Sequence, residues 1–374
     1  MENTERRQRN ATANAEEYRE RRIVLDSNPT MLYVELTQNC NLNCRMCRSG
    51  MTYRPERDMS LGLYELVAAE LMPDCTVVDL RGWGESTMLR DFVKCLRIAA
   101  STGARLRLVT NGLSMTDEMW SIFWHTDGVV AVSIDAASQE LATKLGRGNL
   151  AKVTRNVREG VRLLKMAGRG TVYFNTVVSR DNLGEISRIV DLAASLDVPK
   201  VVLNPVQTKP DDPMSLRDVE HHVQRMLEAV VTAGSRCGVT IELGAALTRT
   251  GVIQQSLPDR CSNPWSHAVI AFNGDVIFCD HLIAQHEYSV GNLGRQSFRS
   301  IWNGPQFAAL RLAHINAERT RDVRCAAKCS WCYSYRYGES EAAPFAPRRT
   351  VFADVQGMWR SAADGHRVST DQCR

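Results

Sequence analysis

Cys40-Asn41-Leu42-Asn43-Cys44-Arg45-Met46-Cys47 follows an apolar run, Met31 to Leu36. Three thiols in one short loop are soft ligands gathered for a soft metal centre. An iron–sulfur cluster normally takes four ligands, so three leave one iron with an open site. Such an iron can bind a substrate or cofactor as well as pass electrons. A zinc knuckle would want a fourth Cys or His nearby, and none lies between Cys47 and Cys75.

Outward from this loop an alternation sets in. Apolar, β-branched-rich runs recur at Met31–Leu36, Cys75–Leu80, Arg105–Val109, Gly128–Ile134, Thr171–Val178 and Lys200–Leu203. Between and after them lie helical patterns at Leu61–Leu71, Leu89–Ala100, Asp117–Phe123, Leu150–Met166, Leu183–Leu196 and Ser215–Ala233. Six β–α units whose strands are apolar throughout predict an α/β fold with a parallel sheet; the pattern leaves open whether the sheet closes. Residues 1–30 are rich in Arg, Glu and Asn and read equally as a solvated tail or a docking helix. Residues 339–374 are basic and loop-like, a tail or a lid.

The chain has 374 residues, enough for two domains. Its 46 basic and 42 acidic residues leave a formal charge of +4, which gives no electrostatic case for nucleic acid. The N-terminus is charged and has no apolar signal region, and no stretch approaches a membrane span. The expected location is cytoplasmic, where cysteine clusters read as metal ligands rather than disulfides.

The C-x3-C-x2-C spacing resembles the cluster motif of the radical S-adenosylmethionine (radical SAM) superfamily. That resemblance implies a partial (β/α)6 barrel with the cluster loop after strand one. It also implies that the open iron of a [4Fe–4S] cluster held by Cys40, Cys44 and Cys47 chelates SAM. Reductive cleavage of SAM would then give a 5′-deoxyadenosyl radical that takes a hydrogen atom from the substrate. The family often has an aromatic residue before the third cysteine; Met46 stands there. Arg81-Gly82-Trp83-Gly84-Glu85-Ser86 resembles the Gly-Gly-Glu element, with Gly84 and Glu85 toward the SAM amino group and Ser86 in place of the usual proline. Thr110-Asn111-Gly112 resembles the Thr-Asn-Gly turn, and Ser133-Ile134-Asp135 the Ser-hydrophobic-Asp element near the SAM ribose. Arg147, in an Arg-Gly element, is expected either at the SAM carboxylate or in solvent. Asn175, Asn204 and Gln207 end strands five and six and suit SAM or substrate hydrogen bonds, or else cap backbone. Glu35, inside strand one, is expected to pair with a basic residue in the barrel interior.

Past Gly244 the rhythm stops. Asn273-Gly274 between Ala268–Phe272 and Val276–Phe278 reads as a β-hairpin, and a helix is expected near Gln306–Ile315. With Gly291-Asn292-Leu293 and Ile301-Trp302-Asn303, this region resembles the SPASM/twitch extension that carries auxiliary iron–sulfur clusters. Five cysteines suit one auxiliary [4Fe–4S] cluster, expected on Cys261, Cys279, Cys329 and Cys332 with Cys325 as a substitute ligand. A zinc ribbon is the alternative. The expected division is 31–245 barrel and 246–338 auxiliary domain. Cys75 and Cys95 fall in strand and helix patterns and read as small core residues.

Relatives with this extension include peptide maturases and enzymes of antibiotic sugars and aminocyclitols. The low cysteine count and the missing recognition domain lean toward a carbohydrate-like substrate, an aminoglycoside or nucleoside intermediate. Dehydrogenation, decarboxylation, dehydration and epimerisation share the same first step. A peptide maturase and a non-catalytic iron–sulfur or zinc protein are the alternatives. The expected partner is an external reductant such as flavodoxin or ferredoxin.

Overall fold

The computed structural model describes residues 2–47, 53–206, 212–216, 219–243 and 261–315. Gln207, Cys325, Cys329 and Cys332 lie outside them.

The six expected strands form: β1 (Met31–Val34), β2 (Val77–Asp79), β3 (Arg105–Thr110), β4 (Val129–Ser133), β5 (Thr171–Val178) and β6 (Lys200–Pro205). A seventh parallel strand, β7 (Thr240–Leu243), pairs with β6; Thr240 and Glu242 are exposed, so it lacks the apolar run that marks the other six. The helical patterns form α2 (Leu61–Glu70), α3 (Phe92–Ser101), α4 (Asp117–His125), α6 (Leu150–Ala167), α7 (Ile186–Ser195) and α8 (Glu220–Cys237), with a short unexpected α5 (Gln139–Lys144) before α6. Local chemistry sets the ends. Asn149 caps α6 by accepting from the Lys152 amide, and Gly168 closes it at φ 66°.

Along β5 residues alternate between buried and half-buried. Its buried face, Val172, Phe174 and Val178, belongs to the core. The other face, Tyr173, Asn175 and Val177, looks into the lumen.

The expected hairpin is present as β8 (His267–Ile270) and β9 (Asp275–Ile277), with Gly274 at φ 86° in the turn. It is not a separate sheet. β8 pairs in parallel with β1, and β9 and β10 (Gly291–Asn292) follow antiparallel. The strand order is β10-β9-β8-β1-β2-β3-β4-β5-β6-β7, an open, partial barrel. Without β8, the β1 edge would leave a row of unpaired amides beside the cluster loop.

The N-terminal segment takes the helical alternative. α1 (Glu2–Arg19) is clamped by Arg6, whose Nε and Nη2 donate to Asp74 at 2.6 and 2.8 Å. Residues 22–28 then run as a strap under α9 (Asn263–Ser266), α10 (Phe298–Trp302) and α11 (Pro305–Ile315). Asn303 both accepts from the Leu25 amide and donates to its carbonyl, and Trp302 donates to Ser27. The buried Arg311 donates to the carbonyls of Ile23, Pro264 and Trp302. Arg and Asn side chains thus satisfy strap backbone that has no strand partner.

Candidate metal and cofactor site

The cluster loop leaves β1 and is held from three sides. Below it, Asn39 donates to Asp58 Oδ1 at 2.8 Å and accepts from the Arg54 amide, while Thr37 donates to the same Asp58 oxygen. From β2, Gly84 presses its backbone on the loop entrance: a Cβ there would lie 2.3 Å from the Asn39 carbonyl oxygen. From the α5–α6 connection, the Arg45 amide donates to the Leu145 carbonyl. Gly146, at φ 71°, comes so close that a Cβ would meet the Asn43 carbonyl oxygen at 2.3 Å.

Cys44 is buried, Cys40 half-buried and Cys47 exposed. Burial pushes the Cys40 thiol up to about 11, and raises Cys44 as well, against the opposing pull of Arg147. Thiolates here need a cation beside them. Arg147 Nη1 lies 3.5 Å from the Cys44 Sγ and supplies part of that charge. Among the described residues no three His, Cys, Asp or Glu side chains are already gathered closely enough to hold a metal ion. The donor set, three free thiols in one short loop pressed by the backbone of Gly84 and Gly146, fits an iron–sulfur cluster.

Arg147, expected either at the SAM carboxylate or in solvent, is half-buried and ion-paired with Asp135, whose side chain is fully buried. Asp135 is held in turn: its Oδ1 accepts from the Val177 amide at 2.6 Å, and Asn182 donates to its carbonyl at 3.0 Å. Arg147, Asp135, Ser133 and Asn111 line one cleft of about 260 Å³, counting its open mouth, together with Ala136 and Leu150. The sequence reading named those four polar residues separately, and the fold brings them together. Met46 packs beside them on Ala136, Ala142 and Leu145.

Glu85 is buried. Its Oε1 accepts from the hydroxyls of Thr87 and Thr110 at 2.6 and 2.7 Å, and its Oε2 from the Asn111 amide at 2.7 Å. A carboxylate has about four acceptor sites, so Oε2 keeps room for one more donor. Asn111 is locked as well, donating to Asn41 in the cluster loop. Asn175 accepts from Asn204 at 2.9 Å across the lumen face of β5 and β6, so these amides bond each other rather than cap backbone.

Glu35 corrects its expectation. Among the described residues no basic side chain is ion-paired with it: it accepts from the Trp83 amide at 3.1 Å and from Gln38 at 3.2 Å. Desolvation raises its pKa. Backbone and side-chain amides meet the carboxyl in place of a cation. Gln38 also meets His286 Nε2, whose Nδ1 meets Asp275, so the chain of contacts runs from β1 to the C-terminal hairpin.

In that hairpin region Asn263 donates to the Cys279 Sγ at 3.4 Å, and burial raises the Cys279 thiol well up. The nearby Cys261 thiol adds to that rise. Cys75 and Cys95 are buried in the core, as expected. Sequence reading missed Asp58, Asn182 and Asp181, which pairs with Arg45 of the cluster loop and with Lys144. Only Asn39, directly before Cys40, lay close enough to the motif to be noticed.

Comparison with known proteins agrees with this geometry. Residues 34–193 match the radical SAM superfamily, and residues 261–333 match SPASM, an iron–sulfur cluster-binding domain. The tungsten-containing aldehyde ferredoxin oxidoreductase cofactor-modifying protein of Pyrococcus furiosus is 23% identical over 76% of this chain and 84% of its own. The mycofactocin maturase MftC of Mycobacterium tuberculosis is 26% identical over 76% of this chain and 73% of its own. The PqqA peptide cyclase of Rhizobium meliloti is 27% identical over 48% of each chain. Among solved structures, SuiB of Streptococcus suis bound to S-adenosylmethionine has a TM-score of 0.63 at 15% identity, covering 81% of this chain and 72% of its own, a likeness of fold. The cofactors are therefore SAM and [4Fe–4S] clusters, in a radical SAM domain followed by a SPASM domain.

Proposed function

We propose that this chain, a radical SAM superfamily enzyme with a C-terminal SPASM domain, matures a peptide. The observation that carries this reading is the shared plan: cluster loop, barrel and SPASM segment together align with a maturase over three quarters of the chain. A shorter alignment is to a protein named as a peptide cyclase. These relatives favour the peptide over the carbohydrate-like substrate that the low cysteine count suggested. The open edge of the sheet at β7 supports it, since the described barrel does not close around a small ligand.

In this reading Cys40, Cys44 and Cys47 hold the SAM cluster, and Cys261 and Cys279 are two ligands of the auxiliary one. The bound cluster and SAM supply hydrogen-atom abstraction. Asn111, Ser133, Asp135 and Arg147 shape the SAM cleft, and the free lone pair of Glu85 accepts an ammonium proton. Asn175 and Asn204 orient what lies below. Exposed Cys47 marks the face where an external reductant, flavodoxin or ferredoxin, would deliver its electron.

The test is anaerobic reconstitution followed by SAM and candidate substrates deuterated at C–H positions. Transfer of deuterium into 5′-deoxyadenosine from peptides, and not from sugars, is the expected result. Transfer from sugars alone would sink the peptide reading.

A further inference from the structure

The lumen carries a second polar constellation, two rows below the SAM cleft. The register places Tyr33, Asp79 and Arg107 side by side across β1, β2 and β3, facing inward. Arg81, two residues beyond Asp79, shares that face. Asp79 is fully buried. Its Oδ2 lies 3.3 Å from Arg81 Nε and 3.6 Å from Arg107 Nε, and neither contact is a hydrogen bond. Both Asp79 oxygens and Arg81 Nε are left without hydrogen-bond partners. Buried groups in that state call for water or a ligand.

The two arginines differ. Arg81 is tied down, with its guanidinium 4.9 Å from the Tyr33 ring and its Nη2 3.3 Å from Asp280. Arg107 lies with its Nε toward Asp79. Its side chain is 31% exposed, and among the described residues its two terminal nitrogens make no hydrogen bond. A guanidinium fixed at one edge with a free fork at the other is the geometry for bidentate carboxylate recognition. Arg107 stands four residues before Asn111 on β3, about 13 Å below the SAM cleft at 3.3 Å per residue.

We propose that Arg107 binds a carboxylate of the substrate, held in register by Asp79 and Arg81. The proposal rests on the peptide reading for its scale. A carboxylate anchored there lies about three to four extended residues from the carbon that loses hydrogen. It comes either from an acidic side chain or from the peptide's C-terminus. The anchor acts far from the reacting bond, so it serves to fix the position of that bond.

The test uses reconstituted full-length enzyme with SAM and three small probes observed by NMR. N-acetylglutamate α-methylamide offers a side-chain carboxylate, N-acetylalanine a terminal one, and N-acetylglutamine α-methylamide neither. The expected result is that one acid binds and the amide does not, and that Arg107→Gln weakens that acid about tenfold or more, the scale of a charged hydrogen bond. Which acid binds identifies the source. Iron content and melting temperature show that the variant folds; should it not, Arg107→Lys, which keeps the charge and loses the planar fork, takes its place. Equal binding by variant and parent, or no preference for either acid over the amide, overturns the proposal. None of these probes needs turnover, so a failure of the peptide reading would show separately, as absence of peptide-derived deuterium in 5′-deoxyadenosine.

Discussion

Arg147 joins two things that the sequence keeps about a hundred residues apart: one edge of its guanidinium is ion-paired with Asp135, and Nη1 reaches 3.5 Å toward the Sγ of Cys44. The pair therefore works as a strut between the end of β4 and the cluster loop. Groups that orient metal ligands typically matter by roughly 10–100-fold in metal affinity or activity. Arg147→Gln is expected to lose iron from the SAM cluster roughly tenfold faster to a chelator. Asp135→Asn leaves Arg147 buried and unpaired and is expected to cost about 3–5 kcal/mol of stability. Chelation time courses and denaturant midpoints check both. An unchanged chelation rate in Arg147→Gln would mean that the contact with Cys44 does nothing for the cluster.

Gly146 is the sharpest steric prediction. Alanine there combines a left-handed backbone at φ 71° with a Cβ 2.3 Å from the Asn43 carbonyl oxygen. Gly146→Ala is expected to push the cluster loop aside and abolish iron at that cluster, while the C-terminal one keeps its own. Gly168→Ala is the control. It has a similar φ of 66° but nothing within 4 Å of the added carbon, so it should cost only about 1 kcal/mol and no iron. Iron and sulfide per chain decide it; full iron in Gly146→Ala would contradict the close approach.

The contrast between these positions explains how much could be read from the chain. The strands and helices of the barrel were legible because buried parallel strands and amphipathic helices write their periods into the sequence. Cys40, Cys44, Cys47, Asn111 and Asp135 were legible because their motifs are local. The pairing of Arg147 with Asp135 was not, because two motifs show their residues but not which of them meet. Asp58 and Asn182 were invisible for the same reason: each is an ordinary polar residue whose importance comes from a loop it meets only in the fold. β8 read as half of a hairpin, yet its parallel bond to β1 spans more than two hundred residues, and no periodicity records that. Glu35 was misjudged because its partners are the Trp83 amide and the Gln38 side chain rather than a basic residue, and only the fold brings Trp83 to it.

Asn303 tests the strap. It makes two hydrogen bonds to Leu25, one to the amide and one to the carbonyl. Asn303→Ala leaves both backbone groups without that partner, at about 1–3 kcal/mol for each that stays buried. Hydrogen exchange should quicken at the Leu25 amide and through residues 22–28, with β3 and β4 unaffected. If exchange in the strap stayed at the parent rate, Asn303 would not be what holds it, and Trp302, Arg311 and α1 would carry that role.

Glu35 gives the pH prediction. Desolvation is the largest cause of its raised pKa, so the folded state favours the neutral acid more than the unfolded chain does. Between the unfolded pKa, near 4.5, and the raised folded value, the native protein holds more of this proton than the unfolded chain. Stability from this group is thus fully present below that lower value and falls as pH rises toward the folded one. Each pKa unit of displacement corresponds to about 1.4 kcal/mol. Glu35→Gln removes the titration, so its stability should decline less than the parent's across that window and match or exceed it at neutral pH. Urea midpoints taken from pH 4 upward for both proteins provide the comparison. Parallel curves would show that Glu35 keeps an ordinary pKa, and that the contacts through Gln38 and His286 stabilise its charge after all.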